Sequence, residues 1–515
     1  VFTKMVDFPL LTAILLTPIW GILVLSVMPR EADKTIKMIS AVTMAIALGL
    51  TLYAYWAYDV SLGGLQYIEN VPWIPELGVS YALGVDGISL PLLLLTMLIG
   101  FSTIFVSWNV EKRSKEFFIQ LLLLIVGAVG TFVSQDLFIF LLFYELGIIP
   151  SYIMIVVWGS SERVSKEYAA MKLTIYLLLG SAFMLAGVIA LYVNAFPAGM
   201  RTFSMQVLAQ AHAVGNLSEN VQIVTFLLLL LGFGSTLSMW PFYSWAPDGY
   251  AAAPTGVSML HAGVLKKIGG YGLIRIGLLI LPLGAKFWAP FIAFFAVVNV
   301  LYAAFVTIAQ KDLKYIVGYS SISHIGYILL GFAALNVISI DGAIANMFAH
   351  GIMTALFFAM VGLVYEKTNT RQVQSLGGLA HQMPRVAVGF MLAGMSSLGL
   401  PGLAGFIPEF TSFLGAFKVY PLYTLLAISG IVFTALYILR VLANVLFGPR
   451  RVEFDTCRDA SGVELVSLVL LGTILVVVGV FPQVLMGMVN SGMEPVMALL
   501  VKLHVTPALL GGVVQ

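Results

Sequence analysis

Apolar runs of about twenty residues recur along the whole chain, separated by short polar breaks. A run of that length spans the roughly 30 Å hydrocarbon core of a bilayer as an α-helix. Lipid offers no hydrogen bonds to a crossing backbone, so the chain must satisfy its own polar groups, as a helix does. The composition agrees, at 60% hydrophobic and 10% charged residues, where soluble chains carry about 25% charge. A soluble chain of 515 residues would need several domains. No Ser/Pro-rich linker, charge block or low-complexity tract divides this one. The fold class is therefore all-α, a polytopic membrane protein. The first apolar run is long and no small-residue cleavage site follows it, so it reads as a span and not as a cleaved signal.

Fourteen spans are expected, near residues 8–28, 36–56, 87–108, 117–133, 137–157, 168–193, 221–239, 256–280, 287–309, 315–335, 342–365, 386–418, 421–447 and 465–483. Pro and Gly break or flank the seventh and the twelfth. The stretch 484–504 contains Glu494, Pro495 and Lys502 and reads as interfacial, not as a fifteenth span. Loops then alternate in charge. One side gathers 18 of the 26 Lys and Arg: Arg30, Lys34, Lys37, Lys112, Arg113, Lys115, Arg163, Lys166, Lys172, Lys311, Lys314, Lys367, Arg371, Arg385, Arg440, Arg450, Arg451 and Arg458. The other side holds 6, Lys4, Arg201, Arg275, Lys286, Lys418 and Lys502. The cation-rich side faces the cytoplasm or its topological equivalent, with both termini opposite.

Several function classes fall away. Net charge +2 gives no footprint for nucleic acid. Cys457 is the sole cysteine, so the chain has no disulfide framework, CxxC pair or iron–sulfur ligand set. No HxxxH or HExxH spacing suggests a metal. No GxGxxG follows a strand and no phosphate loop is present. The glycine-rich LGLPGLAGF lies in a membrane helix and is a break.

Four charged residues lie inside or beside spans: Glu145, Lys266, Lys267 and Glu409. A charge at the centre of a spanning helix costs about 2.5–3.5 kcal/mol on insertion scales and marks a proton or ion pathway. Burial disfavours the charged form and an opposite charge restores it, so a buried Glu–Lys pair can be switched by separation. The plainer alternative for Glu145 is a fixed helix–helix hydrogen bond or ion pair. Lys266 and Lys267 point about 100° apart on a helix, so one of them, Lys266 first, could instead reach toward the interface. His261, His324 and His350 also lie in spans; each alone suits a satisfied core position. With Lys314, Ser320, Ser321, Ser323 and Thr354 nearby they suit a proton relay. Glu409 follows Pro401, Gly402, Gly405 and Pro408. A similar break with Pro241, Pro247 and Pro254 comes five spans earlier. Two broken elements in corresponding positions point to inverted repeats around a midplane ion site.

The stretches FYELGIIPSY, PFYSWAPD followed by APT, AGVLKKIGGYGLIR, QKDLKYIVGYSSISHIGY, MFAHGIMTALFF, YEKTNTR and LGLPGLAGFIPEF cover roughly residues 80–450. Together they resemble the antiporter-like membrane subunits of complex I, the type I NAD(P)H-quinone oxidoreductases. The likeness is to the NuoM/NdhD type (chain 4), in detail to its cyanobacterial and chloroplast branch. The resemblance implies a proton-translocating subunit with no redox centre or cofactor of its own, in a complex that uses iron–sulfur clusters and quinone elsewhere. It implies two inverted five-helix repeats. The division is residues 1–110 as the first three helices, 111–282 and 283–449 as the repeats, and 450–515 as a loop, a last helix and an interfacial tail. It implies neighbouring antiporter-like subunits, a quinone-site subunit and lipids as partners. A cyanobacterial thylakoid or bacterial inner membrane is the implied location, with plastoquinone for the photosynthetic branch.

By the same resemblance Glu145 is the fifth-span glutamate and Lys267 the eighth-span bridging lysine. His324 and His350 are the central histidines, and Glu409 is the terminal acid that exchanges protons with the outer side. One position departs. The family's seventh-span lysine, usual partner of the fifth-span glutamate, is replaced here by Thr236. Lys266 compensating, a water wire at Thr236 and Ser238, and a specialised paralogue are three readings of that change. The last is compatible with a CO2-uptake variant and its subunits. Rival classes are a subunit of a multi-subunit Na+/H+ antiporter, a membrane-bound hydrogenase subunit, and a scaffold indifferent to neutral replacement of Glu145, Lys267 and Glu409.

Overall fold

The computed structural model describes residues 8–213 and 216–502. Lys4 lies outside the described residues. Helices α1 (Leu10–Val27) and α2 (Asp33–Ala57) lead into a β-hairpin, β1 (Gln66–Ile74) and β2 (Val79–Val85). Four long helices follow: α3 (Ser89–Val106), α4 (Ser114–Val133), α5 (Leu137–Trp158) and α6 (Lys166–Ala195). The short α7 (Met205–Ala213) precedes α8 (Glu219–Leu237), α9 (Trp245–Ala252), α10 (Thr255–Leu260) and α11 (Lys266–Gly272). Then come α12 (Pro282–Ala309), α13 (Leu313–Ala333), α14 (Val337–Thr368), the one-turn α15 (Leu379–Gln382), α16 (Pro384–Ser397) and α17 (Phe406–Phe417). The chain closes with α18 (Pro421–Val445), α19 (Glu464–Val480) and α20 (Gln483–Lys502).

Among the described residues, eleven helices are long and apolar enough to cross a membrane, or twelve when α19 and α20, bent by 72°, count as one span. The sequence expects fourteen. The difference falls where helices are interrupted. Residues 255–278 run as α10, a π turn (His261–Leu265), α11 and a second π turn (Leu273–Leu278). Residues 384–417 are two half-helices, α16 and α17, around a Pro/Gly break. The expected spans at 256–280 and 386–418 lie on these two interrupted runs. α20 is separated from α19 by a 72° bend. That helix also packs on the body: a Cβ added at Gly87 would meet the Met488 carbonyl at 2.0 Å.

The hairpin departs from an all-helical chain. Its strands carry too many polar residues and prolines for a span, and Gly78 (φ 67°) turns between them in the left-handed region glycine tolerates. The hairpin clamps two helix starts. The Glu69 carboxylate accepts from Leu11 N at 2.8 Å, Thr12 N at 3.1 Å and the Thr12 hydroxyl, serving the orphan donors of α1. Asp136 caps α5 through Phe138 N (2.9 Å) and also accepts from Ser80 N (3.0 Å).

Loops expected on one membrane side meet there. At the cation-rich side Arg371 pairs with Asp312, Lys367 with Glu464 and Lys172 with Asp248. At the other side the hairpin, Asp136 and residues 201–204 pack together, and Arg275 meets Asp86 at 2.7 Å. Between them α13 and α14 form the centre: their apolar windows are 94% and 100% buried, against 39% for α6 and α18. Two helices wholly sheltered by protein can carry polar side chains that lipid-facing helices cannot.

Replacing Glu69 by Ala removes charge-assisted bonds to the α1 start, at an expected cost of about 1–3 kcal/mol. The outcome is faster proteolytic cleavage of the 58–88 segment in vesicles; an unaltered cleavage rate would show that the clamp is idle.

Candidate functional site

Lys267 is 0% exposed and sits just after the first π turn. Its ammonium donates to the Ala262 carbonyl at 2.5 Å, inside that turn, and lies 2.9 Å from His350 Nδ1 on α14. Two glycines let the helices approach. A Cβ at Gly351 would meet the Gly263 carbonyl at 2.7 Å, and one at Gly263 would meet the Gly351 carbonyl at 3.2 Å. The π turn and α14 therefore touch backbone to backbone beside His350.

His350 continues the line. Its Nε2 lies 3.3 Å from the Thr354 hydroxyl, and its ring centroid is 5.5 Å from that of His324 on α13. His324 places Nδ1 2.7 Å from the Ser320 carbonyl and Nε2 3.0 Å from the Ser397 carbonyl. A neutral imidazole has one N–H and can donate to only one of these oxygens. The pocket thus suits a ring that alternates between one proton and two. Ser397 ends α16, where the Pro/Gly break frees carbonyls that an intact helix would use.

Glu409 lies in the first turn of α17, 6% exposed, with Oε1 3.9 Å from His324 Nε2. The helix N-terminus favours its negative charge. Near it the buried hydroxyls of Ser396 and Ser412 have no hydrogen-bond partner among the described residues. The pattern aromatic–x–Pro–acid that opens α17 (Phe406–Ile407–Pro408–Glu409) also opens α9 (Trp245–Ala246–Pro247–Asp248). Asp248 holds Lys172 at 2.8 Å and accepts from the Tyr315 hydroxyl at 2.9 Å.

Four expected residues, Lys267, His350, His324 and Glu409, are thus brought into one line. Glu145 is not among them. It is half-buried on α5 and lines a groove of about 450 Å³ with Leu141, Ser181 and Leu185, between α5 and α6. No cation lies within 4.0 Å of it among the described residues. Thr236, 2% exposed on α8, bonds to the neighbouring Tyr144 hydroxyl at 2.7 Å, and not to Glu145. The pair at this position is therefore neutral. Lys266 does not reach for the interface: it is 0% exposed, 3.2 Å from the Ser321 hydroxyl. Reading the helix as regular α left its direction open; the π turn decides it. Ser321 is among the hydroxyls expected in a relay, whereas Asp248 and Tyr250 were missed as site residues, although the repeated Pro–acid pair could have found Asp248.

The family model for NADH:quinone oxidoreductase/Mrp antiporter transmembrane segments matches residues 134–434. NAD(P)H-quinone oxidoreductase chain 4 1 of Synechococcus elongatus is 36% identical, over 93% of this chain and 89% of its own length. The chain belongs to the antiporter-like membrane subunits of the complex I family. NADH-quinone oxidoreductase subunit M of Rhodobacter capsulatus is 35% identical over 93% of this chain and 95% of its own. Among solved structures, respiratory complex I from Thermus thermophilus with bound NADH contains a chain that superposes with a TM-score of 0.86 at 27% identity. The match covers 97% of this chain and all of that one. A complex I antiporter-like subunit is thus an integral multi-pass membrane protein, and other membrane subunits are its expected neighbours. The cyanobacterial and purple-bacterial relatives match almost equally.

The Tyr144–Thr236 bond makes its own prediction. In this subunit Thr236→Val leaves a buried phenol without its partner, at about 1–3 kcal/mol, while adding Tyr144→Phe recovers most of the loss. Thermal unfolding of the solubilised complex reads both; a double variant no better than the single would exclude the bond as the cause.

Proposed function

We propose that this chain moves protons across the membrane without redox chemistry of its own, driven by quinone reduction elsewhere in its complex. The observation that carries the reading is the succession of buried groups Lys267, His350, His324 and Glu409 along two interrupted helices and the two most sheltered ones. Lys267 gives a proton to His350 Nδ1, and the proton on Nε2 leaves toward His324. His324 passes a proton to Glu409, which releases it on the cation-poor side. A chain of hydrogen-bonding groups with water between them suits this transfer.

Glu145 stands outside the line, in a groove between α5 and α6 that the exposed Leu142 also lines. A carboxylate there is costly unless a neighbour covers it. In this reading a neighbouring membrane subunit fills the groove, and Glu145 receives the electrostatic change that quinone reduction sends along the membrane. Thr236 supplies no cation to hold Glu145, so the receiving step rests on that neighbour.

The division into inverted repeats, residues 111–282 and 283–449, is part of the proposal. Asp136 caps α5 and Asp312 caps α13 through N–H groups two and three residues on, at opposite membrane sides. The shared opening of α9 and α17 supports the same pairing. A Na+/H+ antiporter subunit is the rival, since the matching family model includes that class. It requires a sodium gradient to drive proton movement without quinone.

Glu145→Gln is expected to lower proton uptake into inverted vesicles at least fivefold while the complex still assembles. Uptake equal to wild type would remove Glu145 from the mechanism. Gentle solubilisation through a tag on this chain, with identification of partners by mass, should recover quinone-site and iron–sulfur subunits. Recovery with small exchanger subunits alone would move the function to sodium/proton antiport. A CO2-hydration partner among those recovered would give Thr236 the meaning of a specialised paralogue.

A further inference from the structure

Among the described residues, the proton line leaves two buried amines without a carboxylate partner unused: Lys314, which donates to the Ala253 carbonyl at 2.6 Å, and Lys266. Lys266 is 0% exposed and no carboxylate lies within 4.0 Å of it among the described residues. A lysine buried this way is costly unless polar groups or water share its charge. What surrounds it is organised by the π turn. In a regular α-helix His261 and Lys266, five residues apart, would point about 140° apart. The π turn closes bonds five residues apart, and the Lys266 N–H does bond to the His261 carbonyl. It thereby turns both side chains toward one ring. The Lys266 ammonium lies 5.4 Å from the Tyr250 ring centroid, and the His261 ring centroid lies 6.3 Å from it. Lys267, the next residue, points to α14 instead.

The far end of this group reaches α5. His261 Nε2 lies 2.9 Å from the Ser151 hydroxyl, on the helix that carries Glu145. Its other nitrogen, Nδ1, is buried and has no hydrogen-bond partner among the described residues, and the buried hydroxyls of Tyr250 and Ser238 face each other without a well-formed bond. At the near end Lys266 meets Ser321 on α13, the helix of His324. Buried unpartnered polar atoms around a buried amine are the sign of a hydrated pocket. Nothing in the line from Lys267 to Glu409 uses these groups.

We propose that Lys266 is a second proton-carrying site, fed from the α5 side through Ser151 and His261, which loads the central line at α13. The step is a proton transfer only. A hydrated proton passes by way of His261 to the neutral Lys266 amine, and the ammonium returns it through Ser321 and water toward His324. No electron moves and no bond other than N–H or O–H changes. This deepens the proton-translocating reading and rests on it. It assigns two roles to the adjacent lysines, Lys266 storing an incoming proton and Lys267 handing one on.

The test uses inverted membrane vesicles containing the whole complex, energised with NADH, NADPH or reduced ferredoxin, whichever the wild type accepts. Proton uptake is normalised to assembled complex for Lys266→Met, Lys266→Arg, His261→Phe and Lys267→Met. Lys266→Met and Lys266→Arg are both expected to lose at least threefold, because arginine keeps the charge but does not release its proton. His261→Phe should lose uptake in the same direction. Normal uptake in Lys266→Met with loss in Lys267→Met overturns the second site and leaves the central line standing. Full activity in Lys266→Arg shows a fixed charge and also overturns it. Normal uptake in both methionine variants sinks the proton-line reading itself.

Discussion

The contact on which the rest depends is the bond from the Lys267 ammonium to the Ala262 carbonyl at 2.5 Å. An amine at 0% exposure needs an acceptor, and a regular helix has none to spare in mid-span. The π turn places this carbonyl under the amine, and the Gly263–Gly351 approach sets His350 on the amine's other side. The amine is therefore shared between a fixed acceptor and an exchangeable one. A carboxylate in either place would have fixed the proton. The protein-sheltered position of α13 and α14 keeps the choice confined to these two partners.

Lys266, Lys267, His324, Glu409 and Asp248 each sit beside an interruption of a helix, whereas Glu145 lies on the unbroken α5. His324 uses the Ser397 carbonyl at the end of α16, and Glu409 uses the start of α17, the two sides of the same Pro/Gly break. Lys266 and Lys267 use the π turn. Asp248 uses the start of α9 and ties it to α6 and α13 through Lys172 and Tyr315. Half-helices supply both an N-terminal dipole for acids and loose carbonyls for bases. The broken elements thus provide the local chemistry, and the long unbroken helices provide the shelter.

Much of this was legible in the residues. Apolar run length gave a multi-helix membrane fold, and the loop charges gave a topology in which the expected neighbours do meet, as Arg371 and Asp312 show. Intramembrane charge picked out Lys267 and Glu409, and the motifs picked out His324 and His350. What stayed hidden depends on local geometry. Periodicity assumes 100° per residue, so it could not foresee a π turn that buries Lys266 and aligns it with His261. Pro and Gly marked the break within 384–417, but nothing in the residue pattern marked the two π turns within 255–278. The hairpin at 66–85 is too short and mixed to register against apolar runs. Glu145 showed the limit of single-residue reasoning: a mid-span acid need not face the core, and here it lines a groove between α5 and α6.

The central claim is that the buried line changes protonation when the complex turns over. Infrared difference spectroscopy of the purified complex, recorded between its resting state and quinone reduction, reads this directly. The account predicts a signal from a buried carboxyl group gaining or losing its proton, and loss of that signal in Glu409→Gln. A difference spectrum with no carboxyl signal, or one unchanged by that substitution, would contradict a proton path ending at Glu409.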